Sequence, residues 1–400
     1  MKKAISDIDP AWLEGRTAVV RADFNVPLDD GRVSDDHRLR ASLPTLDLLT
    51  AAGARVVLLS HLGRPDGPSP ELSLAPVATR LTELLGRPVQ FIGELDAGRV
   101  AAAVAHLPAA SIGLLENTRF LAGDAENDPA LAASWADLGD IFVNDAFGVA
   151  HRAHASTAGL AEAMMARGGE AVAGLLMAKE LLFLEDALLE PERPFTGILG
   201  GAKISGKIGV ISALLGRVDR LLIGGAMANT FFMAMGLDTG SSLVEEDSLD
   251  LAKSLMEQGG ERLVLPVDCV VTHELREGAE ARTVERSEVA QDDKIVDIGP
   301  RTRAMFAEAI GGSKSILWNG PMGVFEIDPF AEGTIAIAWA VAAACDRGAL
   351  GVIGGGDSGA AVERAGVADR VTHVSTGGGA SIKLLAGAKM PGLDSLTEKG

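Results

Sequence analysis

Four times in its second half the chain runs an apolar stretch into a cluster of glycines, and two of these clusters end in a charged residue. The segments are Ile198-Leu199-Gly200-Gly201-Ala202-Lys203, Leu221-Leu222-Ile223-Gly224-Gly225, Val352-Ile353-Gly354-Gly355-Gly356-Asp357 and Val374-Ser375-Thr376-Gly377-Gly378-Gly379. A continuous apolar run reads as a parallel strand buried on both faces. Glycines at its C-terminal end permit a tight turn and close backbone approach to a ligand. A helix that starts there points free N–H groups at the turn, where phosphate is the favoured occupant. Lys203 adds a mobile positive charge within reach of a transferring phosphoryl group. Asp357 has two readings. It can contact Mg2+, which is usually held by one or two carboxylates plus substrate phosphates, or it can cap a helix over 358–365. Residues 201–207 also fit the G-x-x-x-x-G-K part of a P-loop, but Ile208 stands where that motif needs Ser or Thr for magnesium. A P-loop ATPase is therefore the runner-up, and Lys207 reads equally as a surface lysine or a ligand. The loop 319–326 ends in Glu326, a carboxylate suited to ribose hydroxyls.

The first half ends its apolar runs differently, in basic and amide side chains. Val19-Val20-Arg21-Ala22-Asp23-Phe24-Asn25 is one such end and Leu58-Leu59-Ser60-His61-Leu62-Gly63-Arg64 another. Leu114-Leu115-Glu116-Asn117-Thr118-Arg119 and Phe142-Val143-Asn144-Asp145 are two more, with Arg38 after the first and His151-Arg152-Ala153-His154 after the last. If these ends share one sheet edge, Arg38, Arg64, Arg119, Arg152 and His61 converge. Arginine offers a planar fork of donors for phosphate or carboxylate, so a small polyanion carrying both groups fits. Any one of these residues alone reads more simply as a surface ion pair or a packing histidine. His151 and His154 lack the cysteine or third histidine a zinc site would want nearby.

These side chains must be positioned by a repeating unit of apolar run, turn, and alanine- and leucine-rich helical stretch. Strands are expected at 17–22, 55–59, 112–115, 141–144, 197–199, 221–223, 263–266, 315–318, 351–353 and 371–374. Such alternation implies an α/β fold with parallel sheets covered by helices, whose ligands sit at the strands' C-terminal ends. At 400 residues, two domains are expected. A leucine-rich helix over 178–189 is stopped by Glu190-Pro191-Glu192-Arg193-Pro194, which marks a connecting helix and the start of a second domain. The composition, 47% hydrophobic and 23% charged, is that of a globular chain. A net charge of −19 argues against nucleic acid and anionic membranes as partners. No apolar run reaches the roughly 18 residues of a membrane span. The two cysteines are too few for a disulfide framework, and with no hydrophobic signal region the expected location is the cytoplasm.

Taken in order, these segments resemble the phosphoglycerate kinase family over nearly the whole chain. The likeness is carried by residues 21–27, 60–65, 115–120, 144–147 with His151-Arg152, 200–203, 319–326, 354–357 and 375–380. The resemblance implies two Rossmann-like domains joined by a hinge helix. The phosphoglycerate-binding domain would span 1–177, with a tail from about 381 to 400 returning to it; 178–192 would be the connecting helix and 193–380 the nucleotide-binding domain. By matching position, Asp23, Phe24, Asn25, Arg38, His61, Leu62, Gly63, Arg64, Arg119 and Arg152 would line the 3-phosphoglycerate site. Lys203, Glu326, Gly355, Gly356, Asp357 and Ser358 would hold ADP or ATP, with Asp357 on Mg2+. Two positions depart from the family's pattern: His37 and Ser358 each stand where threonine is common. The implied reaction moves the acyl phosphate of 1,3-bisphosphoglycerate to ADP in a closed two-domain cleft, with Arg38 and Lys203 catalytic, no general base, and a monomeric enzyme.

Overall fold

The computed structural model describes residues 1–189 and 191–400, with side chains for all but 185–190. The helix stop read at 190–194 begins at Glu190, which lies outside the described residues. The chain divides into two compact units, Met1–Leu181 with Lys389–Gly400, and Leu182–Ala388. The helix Leu175–Leu189 runs across the boundary between them. Among the described residues no helix is long and apolar enough to cross a membrane.

Unit 1 is built on a six-stranded parallel sheet in the order β5-β6-β4-β1-β7-β8. Its strands are β1 (Thr17–Arg21), β4 (Arg55–Leu59), β5 (Val89–Ile92), β6 (Ile112–Leu115), β7 (Ile141–Asn144) and β8 (Glu170–Ala173). A small hairpin, β2 (Leu28–Asp29) with β3 (Arg32–Val33), stands apart. β1 is buried at every position and pairs with both β4 and β7. Val20, Leu58, Leu114 and Val143 belong to one cluster packed beneath the covering helices. Each such side chain contributes about 1.5–3 kcal/mol on burial. Local chemistry sets the helix ends. Asp96 and Asp128 accept from Arg99 and Leu131 N–H groups at the starts of two helices. Gly86 ends Ala75–Leu85 in the left-handed conformation at φ 64°. The returning tail is tied in by Thr397 N–H to Ala171 O at 2.8 Å and Gly392 N–H to Ala150 O at 2.8 Å. The Asn144 side chain donates to Gly392 O at 2.8 Å.

Unit 2 holds a second six-stranded parallel sheet, ordered β11-β10-β9-β15-β16-β17. Its strands are β9 (Phe195–Leu199), β10 (Arg220–Ile223), β11 (Leu263–Val264), β15 (Ser315–Asn319), β16 (Leu350–Gly354) and β17 (His373–Val374). Ile198, Trp318 and Ile353 anchor its core against the helices Pro300–Gly311 and Glu332–Asp346. Two parallel sheets covered by helices are thus the architecture. Beside the second sheet lies a three-stranded antiparallel sheet, β13-β12-β14, that was not expected from sequence. It comprises β12 (Asp268–Thr272), β13 (Ala281–Glu285) and β14 (Lys294–Ile298). β13 is exposed at its first three positions and has no apolar run to announce it. β5 and β8 also went unread: the first has an exposed Gln90 at its centre, and the second is only four residues long.

Candidate active site

In unit 1 the C-terminal ends of β1, β4 and β6 bring their polar residues into one network. Arg38, two residues into the helix His37–Ala51, donates to Asp23 Oδ2 at 3.0 Å. The Asp23 side chain also accepts from the Asn25 N–H at 3.3 Å, and Asn25 Oδ1 accepts from the Gly63 N–H at 2.8 Å. Arg119 donates to the Gly63 carbonyl, which ties the β6 end to the β4 end. Phe24 is fixed by its N–H to Ser60 Oγ at 2.8 Å, and Leu62 by paired bonds with the Asn117 side chain. Arg152 lies close enough to act electrostatically on Arg119, as does the exposed Arg64. The strand ends therefore do converge, and a partly buried cationic surface results.

The cations crowd one another. Burial lowers the pKa of Arg119, and Arg152, Arg21 and Arg64 push it further in the same direction. His61 is buried, which holds its pKa well below the ordinary value, and Arg21, Arg119, His154 and Arg38 reinforce the effect. Burial likewise lowers His154 to about 4, with Asp124 opposing. Both imidazoles are neutral at pH 7. Arg21 can only donate, so its 3.1 Å contact with His61 Nδ1 makes that nitrogen an acceptor. The single ring proton then sits on Nε2. Asp23 and Asp124 offset part of the arginines' positive charge, and a small phosphate- or carboxylate-bearing ligand would add a further anion.

Two supporting residues escaped the sequence reading. Arg21 is fully buried and donates to Ser156 Oγ at 3.0 Å, the Ala22 carbonyl and His61. Asp124, also fully buried, accepts from the Ser156 N–H at 3.0 Å and opposes the pKa lowering of Arg21 and His154. Arg21 lay inside a predicted strand, where a charge ending an apolar run was the only signal.

In unit 2 the glycine clusters meet one another. Gly200 N–H donates to Asn319 O at 3.0 Å, Gly201 N–H to Pro321 O at 3.0 Å and Gly225 N–H to Met322 O at 2.9 Å. A Cβ added to Gly225 would lie 2.5 Å from Gly201 N, and one on Gly200 would collide with the Pro321 carbonyl. These glycines let loops pack backbone to backbone, which corrects the expectation that all four clusters exist for ligand approach. The other two clusters are open in part, although a Cβ at Gly355 would lie 2.9 Å from Asn319 Nδ2. An added Cβ at Gly356, Gly378 or Gly379 would meet nothing within 4 Å.

The helix after the third cluster starts at Gly356 with Gly355 at the N-cap, not at residue 358. Asp357 sits exposed in its first turn, past the N-cap, so the N-cap reading of Asp357 is overturned. Ser358 is fully buried and its hydroxyl accepts from the Gly320 N–H at 2.6 Å. Lys207 is no plain surface lysine. Its ammonium donates to Gly200 O at 2.6 Å, Asn319 O at 3.1 Å and Asn319 Oδ1 at 2.7 Å, and burial lowers its pKa to about 8. Lys203 is exposed. A groove of about 680 Å3 opens beside these loops, lined by Gly201 and Ala202, by Asn229, Glu326 and Asp357 at polar positions and by Phe232, Val296 and Val324 at apolar ones. Its size and mixed lining suit a mononucleotide.

The comparisons with known proteins agree with one another. The family profile described as phosphoglycerate kinase matches residues 5–388. The phosphoglycerate kinase of Chloroflexus aurantiacus is 52% identical over 404 residues, covering 99% of each chain. That of Thermosipho africanus is 50% identical over 403 residues, covering 100% of this chain and 98% of its own. The solved structure of phosphoglycerate kinase from Coxiella burnetii superposes with a TM-score of 0.87 at 38% identity, covering 99% of this chain and 98% of that one. With a match this long and relatives half identical from end to end, the chain belongs to the phosphoglycerate kinase family.

Proposed function

We propose that this chain is a cytoplasmic, monomeric enzyme that reversibly transfers the acyl phosphate of 1,3-bisphosphoglycerate to ADP, giving ATP and 3-phosphoglycerate. The observation that carries the reading is the arginine cluster of unit 1, where Arg21 touches the buried His61 at 3.1 Å, Arg38 is held by Asp23 at 3.0 Å and Arg119 bonds the Gly63 carbonyl. Asp23, Phe24, Asn25, Arg38, His61, Leu62, Gly63, Arg64, Arg119 and Arg152 bind the phosphoglycerate. Lys203, Glu326, Gly355, Gly356, Asp357 and Ser358 bind the nucleotide, with Glu326 on the ribose. Residues 1–177 and the tail from about 381 form the first binding domain, 178–192 the connector and 193–380 the second.

The acceptor in the reverse direction is a carboxylate, ionised at pH 7, so no base is required. The side chains agree: His61 has no free lone pair at Nδ1, and its Nε2 proton makes it a donor to phosphate. Arg38 and Lys203 stabilise charge that develops on the phosphoryl oxygens during in-line transfer. Each ligand is bound by a different domain, so closure of a cleft brings them into reach and shuts out water that would hydrolyse the acyl phosphate. Asp357, an exposed carboxylate on the groove, fits Mg2+ that takes its other ligands from phosphates and water. When bound, that ion would neutralise nucleotide phosphate charge.

A coupled assay for ATP formed from 1,3-bisphosphoglycerate and ADP tests the reading directly. Nucleotide hydrolysis that proceeds without any phosphoglycerate would instead favour the P-loop ATPase.

A further inference from the structure

Asp297 lies at the end of β14 in the wall of the groove, only 3% exposed. Both of its carboxylate oxygens are engaged by backbone. Oδ1 accepts from the Ile298 N–H at 2.9 Å and Oδ2 from the Gly333 N–H at 2.5 Å. Gly333 belongs to the first turn of Glu332–Asp346, whose own N-cap residue, Ala331, offers no side-chain acceptor. Asp297 therefore caps that helix from another element through its hydrogen bonds, while burial raises its pKa to about 7 against the lowering by the Gly333 and Ile298 N–H groups.

The loop after β15 rests on the same carboxylate. A Cβ at Gly323 would lie 2.5 Å from Asp297 Oδ1 and 2.5 Å from Val296 O, and a Cβ at Gly333 would collide with Oδ1. The loop has two further ties, Val324 N–H to Val296 O at 2.8 Å and Met322 N–H to Thr334 Oγ1 at 3.0 Å. Gly323, Val324 and Glu326 all line the groove. A buried carboxylate is an expensive way to fill space. Here it ties a strand end to a helix start through hydrogen bonds that an apolar side chain cannot make, and the loop packs against it at Gly323.

We propose that Asp297 is a positioning residue for the nucleotide: it fixes the groove wall and the loop that carries Glu326, without touching the ligand's reacting atoms. The proposal rests on the assignment of this groove to the nucleotide.

The test uses the full chain, with steady-state kinetics in the direction that consumes ATP and 3-phosphoglycerate, and thermal melts alongside. Asp297→Asn keeps one acceptor oxygen but turns an amide NH2 toward a backbone N–H. It should raise KM for ATP by at least about fivefold, the scale of one or two lost hydrogen bonds. KM for 3-phosphoglycerate should stay within about twofold of the parent. Loss of folded protein alone would lower the apparent kcat and leave both KM values in place. Thr334→Val removes a second tie of the loop without altering the carboxylate, and should shift KM for ATP in the same direction by a smaller factor. If Asp297→Asn does not fold, Thr334→Val decides. An ATP KM within about twofold of the parent in Asp297→Asn overturns the role of Asp297; should that variant not fold, the same result in Thr334→Val overturns the premise that the ties of this loop position the nucleotide, and the role of Asp297 with it. Glu326→Ala separates the two ideas: sensitivity to Glu326→Ala with indifference to Asp297→Asn defeats only the positioning role. Indifference to both defeats the groove assignment as well.

Discussion

Arg38 is held in place by protein alone, through its bond to Asp23, so its charge is oriented before a ligand arrives. Removing a preorganised charge of this kind costs on the order of 100-fold in kcat. Arg38→Ala should show that loss in the coupled assay, and an unchanged kcat would take Arg38 out of the mechanism. His154 makes a prediction about stability. Its pKa falls from 6.5 unfolded to about 4 folded, chiefly through burial. Between those values the unfolded chain binds a proton that the folded chain refuses, so stability contributed by neutral His154 is present above pH 6.5 and is lost as pH falls toward about 4. Urea midpoints of the parent should drop across this window more steeply than those of His154→Gln. Parallel curves would show that His154 does not carry the effect. At this scale Arg38, His61, Arg64, Arg119 and Arg152 were legible because each closes or follows an apolar run. Arg21 and Asp124 act from beneath them, and nothing in a linear sequence says that a strand-end arginine will turn inward to a histidine from the neighbouring strand.

Secondary-structure elements were legible in proportion to their burial. The central strands β1, β7, β9 and β15 are apolar and fully buried, and their positions could be read directly. β13 is half exposed and reads as loop. The glycine clusters looked alike in sequence yet do different work in space. Gly225 is pressed against the Gly201 backbone at φ 68°, whereas Gly356 starts a helix with empty space where a side chain would go. Gly225→Ala should therefore destabilise unit 2 by about 2 kcal/mol or more, the range for forcing atoms into a packed site. Gly356→Ala should leave stability within about 0.5 kcal/mol, as for an unhindered surface change. If the proposed nucleotide site is right, it should still raise KM for the nucleotide about 2- to 10-fold, since the methyl would crowd N–H groups placed to face phosphate. Melting curves and nucleotide KM values of the two variants distinguish packing glycines from binding glycines. Equal loss of stability in both would erase the distinction.

At the scale of the whole molecule, unit 2 is one continuous segment, Leu182–Ala388, while unit 1 is assembled from two. Unit 2 expressed alone should fold and bind MgADP with no affinity for 3-phosphoglycerate, as read by calorimetry. Binding of 3-phosphoglycerate to that fragment would reverse the assignment of substrates. The discontinuity has a consequence for biosynthesis. A ribosome finishes all of unit 2 before it makes residues 389–400, and those residues hold Ala150, Asn144 and Ala171 through Gly392 and Thr397. Unit 1 therefore cannot be completed until the segment that follows unit 2 has been made. A polypeptide lacking residues 389–400 would keep all of Leu182–Ala388 but lose the Gly392 and Thr397 bonds that complete unit 1.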